Sequence, residues 1–234
     1  SVAREGIRVV RDNLYLLIFW IVPLAATIAG NIFLEPHITI RIGIICISTF
    51  FTACFIHALN HLLEHRTRSI VQVTYSSLKR IHFILAWGLL SAAFYELINT
   101  DTPDSSWIIF IGRWILFLAW PITTFYVLPI IATEHQPITR IAQLTVYLLK
   151  STIFEVIGGS LYCGLILIPA GLLNVLTIAL LYYQYPMAAQ VCALVAICFI
   201  YVLNITYAAF KTAMFYEEYK KPLTDVDAWR MPMA

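Results

Sequence analysis

The apolar pattern of the chain is clearest between Glu155 and Lys211, where fifty-five consecutive residues include no Asp, Glu, Lys or Arg. This stretch is far longer than a core helix of a soluble protein, and one membrane-spanning helix takes about 20 residues. A polar and aromatic break at residues 182–186 interrupts it. The pattern therefore predicts two spanning helices joined by a turn, and it places the chain among polytopic integral membrane proteins.

Across the whole chain, the same pattern predicts an all-α polytopic membrane protein with one domain, residues 1–234. Six spanning helices are predicted, at residues 14–34, 42–63, 82–98, 106–132, 154–181 and 188–210, and a cytoplasmic tail at 211–234. The basic N-terminal segment is not expected to be a signal peptide, because the apolar stretch behind it is long enough to span. Composition agrees with this class, since 61% of the residues are hydrophobic and 12% are charged, against about 25% charged in soluble domains.

Lys and Arg are divided very unequally between the two sides that six spans create. With the N-terminus inside, thirteen of the fifteen basic residues fall on the inner side, and Arg41 and Arg113 fall outside. Because cytoplasmic segments are enriched in Lys and Arg, both termini are predicted to be cytoplasmic. An odd number of spans would destroy this separation. The expected location is a bacterial inner membrane, and a eukaryotic organelle membrane is the alternative.

The two inner connections between spans resemble each other. At an offset of 71 residues, six of the fourteen positions in 70–83 are identical to their counterparts in 141–154. The identical pairs are Ile70/Ile141, Gln72/Gln143, Thr74/Thr145, Leu78/Leu149, Lys79/Lys150 and Phe83/Phe154. The same offset aligns the second span with the fourth and the third with the fifth. This predicts a duplicated helix–amphipathic loop–helix unit whose copies have the same orientation.

Both inner connections are predicted to be amphipathic. In the second, one helical face carries Ile138, Ile141, Ala142, Thr145, Leu148 and Leu149. Each connection is either a helix that lies in the inner headgroup plane or an extension of a spanning helix into water. In the first case a lipid-facing basic cluster would contact anionic headgroups, and its residues are Arg66, Arg68, Lys79, Arg80, Arg140 and Lys150.

Three segments carry a resemblance to a known group of proteins. They are YVLPIIATEH (126–135), the amphipathic ITRIAQLTVYLLKS (138–151) and AAFKTAMFYEEYKK (208–221). In this order, behind a basic N-terminal segment, they resemble a broad group of bacterial and archaeal six-span membrane proteins. The chain is also similar to the non-catalytic membrane domain found beside some glycerophosphodiester phosphodiesterases. The resemblance implies a fold and a membrane location, and it implies no reaction.

One group of side chains has the types and spacing of a metal site. His57, His61 and His65 recur every four residues and share one helix face. Residues 61–65 also match the HxxEH pattern of inverted zinc peptidases, in which Glu64 would act as the base. Zinc or iron would then be the cofactor. The alternative is a set of polar residues where a helix leaves the membrane, with no cofactor and no catalytic residue, and we favour it because the second copy keeps only His135.

The fifth predicted span has the strongest signal for a helix break, at Pro169 and Gly171. Gly158, Gly159 and Gly164 precede it. Close helix contact through small residues is the favoured interpretation, and a hinge or a lipid-entry cleft is the alternative. No acidic residue lies at the middle of a predicted span, which disfavours a proton- or sodium-coupled transporter.

These patterns favour a non-enzymatic membrane scaffold or accessory subunit. It would act at its basic inner face through membrane lipids, partner membrane proteins or a second copy of itself. A permease-like or lipid-handling protein is the alternative, and a metal-dependent membrane enzyme is a second one. Nucleic-acid binding is not expected, because topology accounts for the basic residues.

Overall fold

A computed structural model describes residues 2–33, 37–66, 68–99, 107–134, 136–165 and 167–220. Throughout these ranges the regular elements are helices, as the sequence predicts. They are α1 (Val2–Asp12), a 3-10 turn (Leu14–Leu17), α2 (Ile18–Phe33), α3 (Ile38–Leu63), α4 (Ile70–Leu78), α5 (Ile81–Asn99), α6 (Trp107–Thr123), α7 (Val127–Thr133), α8 (Ile138–Leu165), α9 (Leu167–Tyr182), α10 (Pro186–Phe215) and a π-helical turn (Tyr216–Lys220).

Within the described chain, four helices are long and apolar enough to cross a membrane. They are Ile38–Leu63, Ile81–Ile98, Ile138–Tyr162 and Pro186–Lys220. The count rises to five if Gly6–Asp12 and Leu14–Ala29, which are bent by 96°, form one span. Shorter apolar helices cover Ala119–Thr133 and Ile168–Tyr182. The chain is thus a helical membrane protein, with the second, third and sixth predicted spans on single long helices, and the count of six stays a prediction.

Prolines lie where the fourth and fifth predicted spans are divided. Pro129 has no N–H to donate, and in a continuous helix its ring would clash with the carbonyl of residue 125. The structure instead ends α6 at Thr123 and begins α7 at Val127, so Pro129 falls in a first turn, where proline is tolerated. Pro169 falls in the first turn of α9 in the same way. Pro169 and Gly171 both lie in the first turns of α9, and the helix break predicted there stays a prediction.

Two helices end with the same backbone motif. After α3, His65 has a φ of 55°, and its N–H bonds the carbonyl of Leu62 at 3.0 Å. The N–H of Arg66 bonds the carbonyl of His61 at 2.8 Å. This is a Schellman motif, and Gln184, with a φ of 64°, occupies the equivalent position after α9. The motif turns the chain sharply, which places the turn between α9 and α10 where the sequence predicts it.

The two inner connections are both helical. The first is α4, which begins with a capping box in which Ser69 Oγ accepts from the N–H of Gln72 and Gln72 Oε1 accepts from the N–H of Ser69. The second is the first part of α8, and Thr152, with φ −124° and ψ 16°, kinks that helix. The first connection is therefore a helix of its own, whereas the second leads through a kink into the helix that follows.

Buried side chains concentrate at one end of the bundle, which we call the packed end. It comprises α1, α4, α7 and the C-terminal halves of α3 and α10. Its fully buried residues include Cys54, Phe55, Leu59, Phe125, Tyr126, Ile130 and Phe215. Along α9, in contrast, Leu172, Val175 and Ile178 are exposed, as expected for side chains that face lipid.

Close contact through glycine occurs at the packed end. A Cβ added at Gly6 would lie 2.8 Å from the carbonyl oxygen of Ala209 and 3.1 Å from the Cβ of Ala213. Gly159 packs in the same manner against the ring of Phe210. By contrast, a Cβ at Gly158 or Gly171 would meet no atom within 4 Å. Of the glycines named from the sequence, Gly159 alone among those described has the close contact that we favoured.

The predicted tail begins inside a helix. Thr212, Ala213 and Phe215 are buried in the last turns of α10, and residues 216–220 continue it as a π-helical turn. The remainder of the tail, residues 221–234, lies outside the described residues.

Candidate functional site

Of the histidines in the predicted metal group, His57 and His61 are buried inside the packed end, whereas His65 is exposed at its surface. His57 and His61 are 7% and 8% exposed, and their rings contact each other edge to face with centroids 4.7 Å apart. The ring nitrogens of both residues are buried, without a hydrogen bond of good geometry to the described chain. The nearest acid is Glu64, whose Oε2 lies 3.6 Å from His61 Nδ1.

The HxxEH pattern does not lie on a continuous helix. Because α3 ends at Leu63, Glu64 is the C-cap and His65 turns out into an exposed, left-handed position. Glu64 accepts a hydrogen bond from Asn60 Nδ2 at 2.8 Å and lies 3.8 Å from Arg66 Nη1. Spacing in the sequence places His61 and His65 one turn apart, but the end of the helix separates them.

No three His, Cys, Asp or Glu side chains of the described chain form a group that could hold a metal ion. The predicted set of His57, His61, Glu64 and His65 is thus divided into a buried pair, a capping carboxylate and an exposed imidazole. His135 lies outside the described residues. The zinc or iron site stays a prediction of the sequence.

Arg80 links two segments within the packed end. Its side chain is buried, and it donates from Nη1 to the carbonyl of Ile131 at 3.0 Å and from Nη2 to that of Thr133 at 3.2 Å. These carbonyls end α7, where a helix dipole favours a cation. Burial lowers the pKa of Arg80, and the neighbouring charge of Glu134 opposes that shift. Arg80, which the sequence groups with lipid-facing residues, is therefore a buried bridge between the start of α5 and the end of α7.

A second cation reaches the same place from the C-terminal side. Lys220 forms a salt bridge with Glu134, directly after α7. Residues 131–134 are therefore contacted by Arg80 from the first inner connection and by Lys220 from the end of α10. Three segments that are far apart in the sequence meet at this point.

Beside Arg80 lies a cleft of about 300 Å³ that both inner connections line. We call it the connection cleft. Its lining residues are Lys79, Arg80, His82, Phe83, Ile131, Glu134, Gln136, Pro137 and Ile141. Lys79 and His82 are exposed there, so the cleft offers positive and hydrogen-bonding groups at its mouth. The other basic residues of the predicted cluster, Arg66, Arg68, Arg140 and Lys150, are exposed on the same two connections.

A larger cavity of about 360 Å³ lies among α2, α3, α5, α6 and α10. Its lining includes Trp20, Trp87, Trp120 and Lys211, none of which the sequence singled out as a site. The one available signal was Lys211, the charge that ends the fifty-five-residue apolar stretch. The lipid-entry cleft that the sequence offered as an alternative was predicted elsewhere, near residues 158–171, and it stays a prediction.

Comparisons of the chain with protein-family models, with curated proteins and with solved structures found no match. The case for function therefore depends on the geometry described above.

Proposed function

We propose that the chain is a non-enzymatic integral membrane protein, a scaffold or accessory subunit, that binds anionic lipid headgroups at its packed end. The proposal includes six spans, both termini in the cytoplasm and a bacterial inner membrane. The packed end is then the cytoplasmic end. The resemblance to six-span bacterial and archaeal proteins belongs to the same proposal.

Matched burial supports the proposed duplication. At the offset of 71 residues, Cys54 corresponds to Phe125 and Phe55 to Tyr126, and all four side chains are fully buried. Leu59 and Ile130, the next such pair, are also fully buried. The first members of these pairs lie on α3, and their counterparts lie on α7 or directly before it, where α3 and α7 pack against each other at the packed end. The kink at Thr152 likewise corresponds to the start of α5 at Ile81.

The connection cleft is the observation that carries the lipid-binding proposal. A phosphate headgroup needs cations and hydrogen-bond donors at the depth of the membrane surface. Lys79 and His82 supply them from one connection, and Gln136 supplies an amide from the other. The apolar part of the lining, including Phe83 and Ile141, suits the start of an acyl chain. The buried Arg80 keeps the two sides of the cleft at a fixed separation.

The orientation of α1 supports an interfacial role for this end. The axis of α1 is bent by 96° from the helix that follows, so α1 lies across the bundle while its neighbour runs along it. Val10 and Gly6 face the protein, whereas Arg8 and Arg11 are exposed. Such an amphipathic helix, with basic residues outward, is typical of the headgroup region.

Native mass spectrometry of the detergent-purified chain, titrated with phosphatidylglycerol and with phosphatidylcholine, tests the proposal. We expect wild type to retain phosphatidylglycerol preferentially. The double variant Lys79→Gln/Arg140→Gln should bind it roughly thirtyfold more weakly, since each surface cation contributes about 1 kcal/mol. The matched control Arg41→Gln/Arg113→Gln removes two cations from the predicted outer side and should bind like wild type.

Equal retention of both lipids by wild type, or an equal loss in the control, would rule out a headgroup site at the connection cleft. Metal analysis of the same preparations addresses the enzyme alternative. About one zinc or iron per chain, lost in His57→Ala/His61→Ala, would replace the scaffold proposal with a metal-dependent enzyme.

A further inference from the structure

The cavity among α2, α3, α5, α6 and α10 is long and partly open, and aromatic and hydroxyl-bearing side chains line it. Along α3 it extends from Ile44 to Ile56, about 18 Å at a rise of ~1.5 Å per residue. Trp20, Trp87 and Trp120 line it, and the rings of Trp87 and Trp120 stack with centroids 5.6 Å apart. Its volume of about 360 Å³ lies within the range of small-molecule sites.

Among the described residues that line this cavity, Lys211 alone is charged. Its Nζ lies 4.3 Å from the ring centroid of Tyr207 and 5.7 Å from that of Phe125. Lys211 directly follows the sixth predicted span, so in the proposed topology its cation lies at the cytoplasmic end of the cavity. Asn204, two helical turns earlier on α10, lines the same cavity. The charge of the lining therefore favours an anion and disfavours a cationic ligand, despite the aromatic walls.

Several hydroxyl groups on the wall already donate within the protein. Thr49, Thr52 and Thr124 each donate their single hydroxyl proton to a carbonyl of their own helix, at 2.8, 2.7 and 2.5 Å. Tyr207 donates to the carbonyl of Pro121 at 3.2 Å. The other donors of the described wall, which include Trp20 Nε1 and the amide of Asn204, are few beside its tryptophan rings and isoleucine side chains. The body of the ligand is therefore apolar, and its polar group is at the Lys211 end.

We propose that this cavity binds a carboxylate-headed amphiphile, with the carboxylate beside Lys211 and the apolar body along the tryptophan rings toward Ile44. The described lining carries one positive side chain, which matches the single charge of a carboxylate more closely than the up to two charges of a phosphate monoester. This site is separate from the connection cleft and does not depend on the function proposed above.

The test uses wild-type protein in phosphatidylcholine nanodiscs titrated with 12-bromododecanoate, whose bromine quenches nearby tryptophan fluorescence. Three of the six tryptophans line the cavity. We expect saturable quenching by the acid, while its methyl ester, which partitions into lipid without a charge, gives only non-saturable quenching.

Substitution of the lysine separates charge from folding. Lys211→Met should raise the half-saturating concentration by about tenfold or more, the typical effect of losing a charge-assisted hydrogen bond. Lys211→Arg keeps the cation and should bind as wild type does. The matched control Lys150→Met, at an exposed position on α8, should also bind normally. Ser91→Phe fills the cavity without altering charge, and it should abolish saturable quenching.

Saturation by the methyl ester at the same concentration as the acid would overturn the proposal. Unchanged binding in Lys211→Met or in Ser91→Phe would also overturn it, as would the absence of saturable quenching in wild type. Binding of the acid should persist in Lys79→Gln/Arg140→Gln, so a failure of the headgroup site and a failure of this one give different results.

Discussion

Arg80 shows how a single residue can stabilise the packed end of this molecule. A guanidinium is weakly hydrated and carries its donors in a fixed planar fork, so it can satisfy two carbonyls at once. The carbonyls of Ile131 and Thr133 lie at the end of α7, where helix carbonyls lack an intrahelical partner, and Arg80 supplies their hydrogen bonds. His65 is a second such residue, because its left-handed backbone completes the end of α3.

His65→Gly should stabilise the protein. A left-handed conformation costs an L-residue about 1–2 kcal/mol, and glycine loses about 0.5–1 kcal/mol of that advantage through its larger entropy in the unfolded chain. A net gain of about 0.5–1 kcal/mol is therefore expected, measured as a higher midpoint of unfolding in detergent.

His65→Ala is the matched control, because alanine retains the strained backbone while removing the imidazole. Its stability should be close to that of wild type. A loss of stability in both variants would mean that the imidazole of His65 makes a stabilising contact, which would contradict its role as a cap.

At the scale of elements, helix ends and helix contacts determine how the chain folds at the packed end. The capping box at Ser69 begins α4, and the kink at Thr152 bends α8. At that kink, Thr152 donates its hydroxyl proton to the carbonyl of Leu148. The hydroxyl of Tyr126, the residue directly before α7, therefore donates to Thr152 Oγ1 on α8. The docking of α1 depends instead on close approach to α10 at Gly6.

Gly6→Ala should loosen α1 from the bundle. The added Cβ would lie 2.8 Å from a backbone oxygen of α10, which cannot move away as a flexible side chain would, and overpacking of this kind costs about 1–3 kcal/mol. Faster hydrogen exchange of the α1 amides and a lower unfolding midpoint are the expected results.

Gly158→Ala provides a control with the opposite sign. Its Cβ would meet no atom within 4 Å, and alanine favours a helix interior by about 0.5–1 kcal/mol over glycine. If Gly6→Ala proved as stable as Gly158→Ala, the contact between α1 and α10 would not contribute to stability.

At the scale of the whole molecule, the packed end and the lipid-facing helices have different compositions. Charged and capping residues gather at the packed end, while α9 and the first part of α10 present apolar side chains. The contacts of Arg80 and Lys220 bring both inner connections and the end of α10 together. The proposed six-span arrangement would place all of these segments on one side of the membrane.

Single-cysteine labelling tests this topology. In a chain whose five cysteines have been replaced, Ser69→Cys, Gln136→Cys and Gln184→Cys are each exposed to a membrane-impermeant maleimide on intact spheroplasts. We expect labelling at Gln184→Cys alone, with the other two labelled only after the membrane is permeabilised.

Labelling of Ser69→Cys and Gln136→Cys on opposite sides would mean that an odd number of spans separates them, and the six-span arrangement would be wrong. Labelling of both from outside would instead reverse the predicted orientation.

The sequence by itself determined that this is a helical membrane protein, and its predictions at residues 42–63, 82–98 and 188–210 coincide with helices that are long and apolar enough to span. Transfer of apolar side chains into lipid is a local, additive property, so the absence of charge over fifty-five residues was sufficient. Only the tertiary structure decided the contacts of Arg80 and Lys211 and the backbone conformation of His65. The conformation of His65 depends on where α3 ends, and the contacts of Arg80 depend on which carbonyls of α7 lie near it. The surroundings of Lys211 depend on a cavity that several helices line. Such contacts between distant segments have no local signature in the chain.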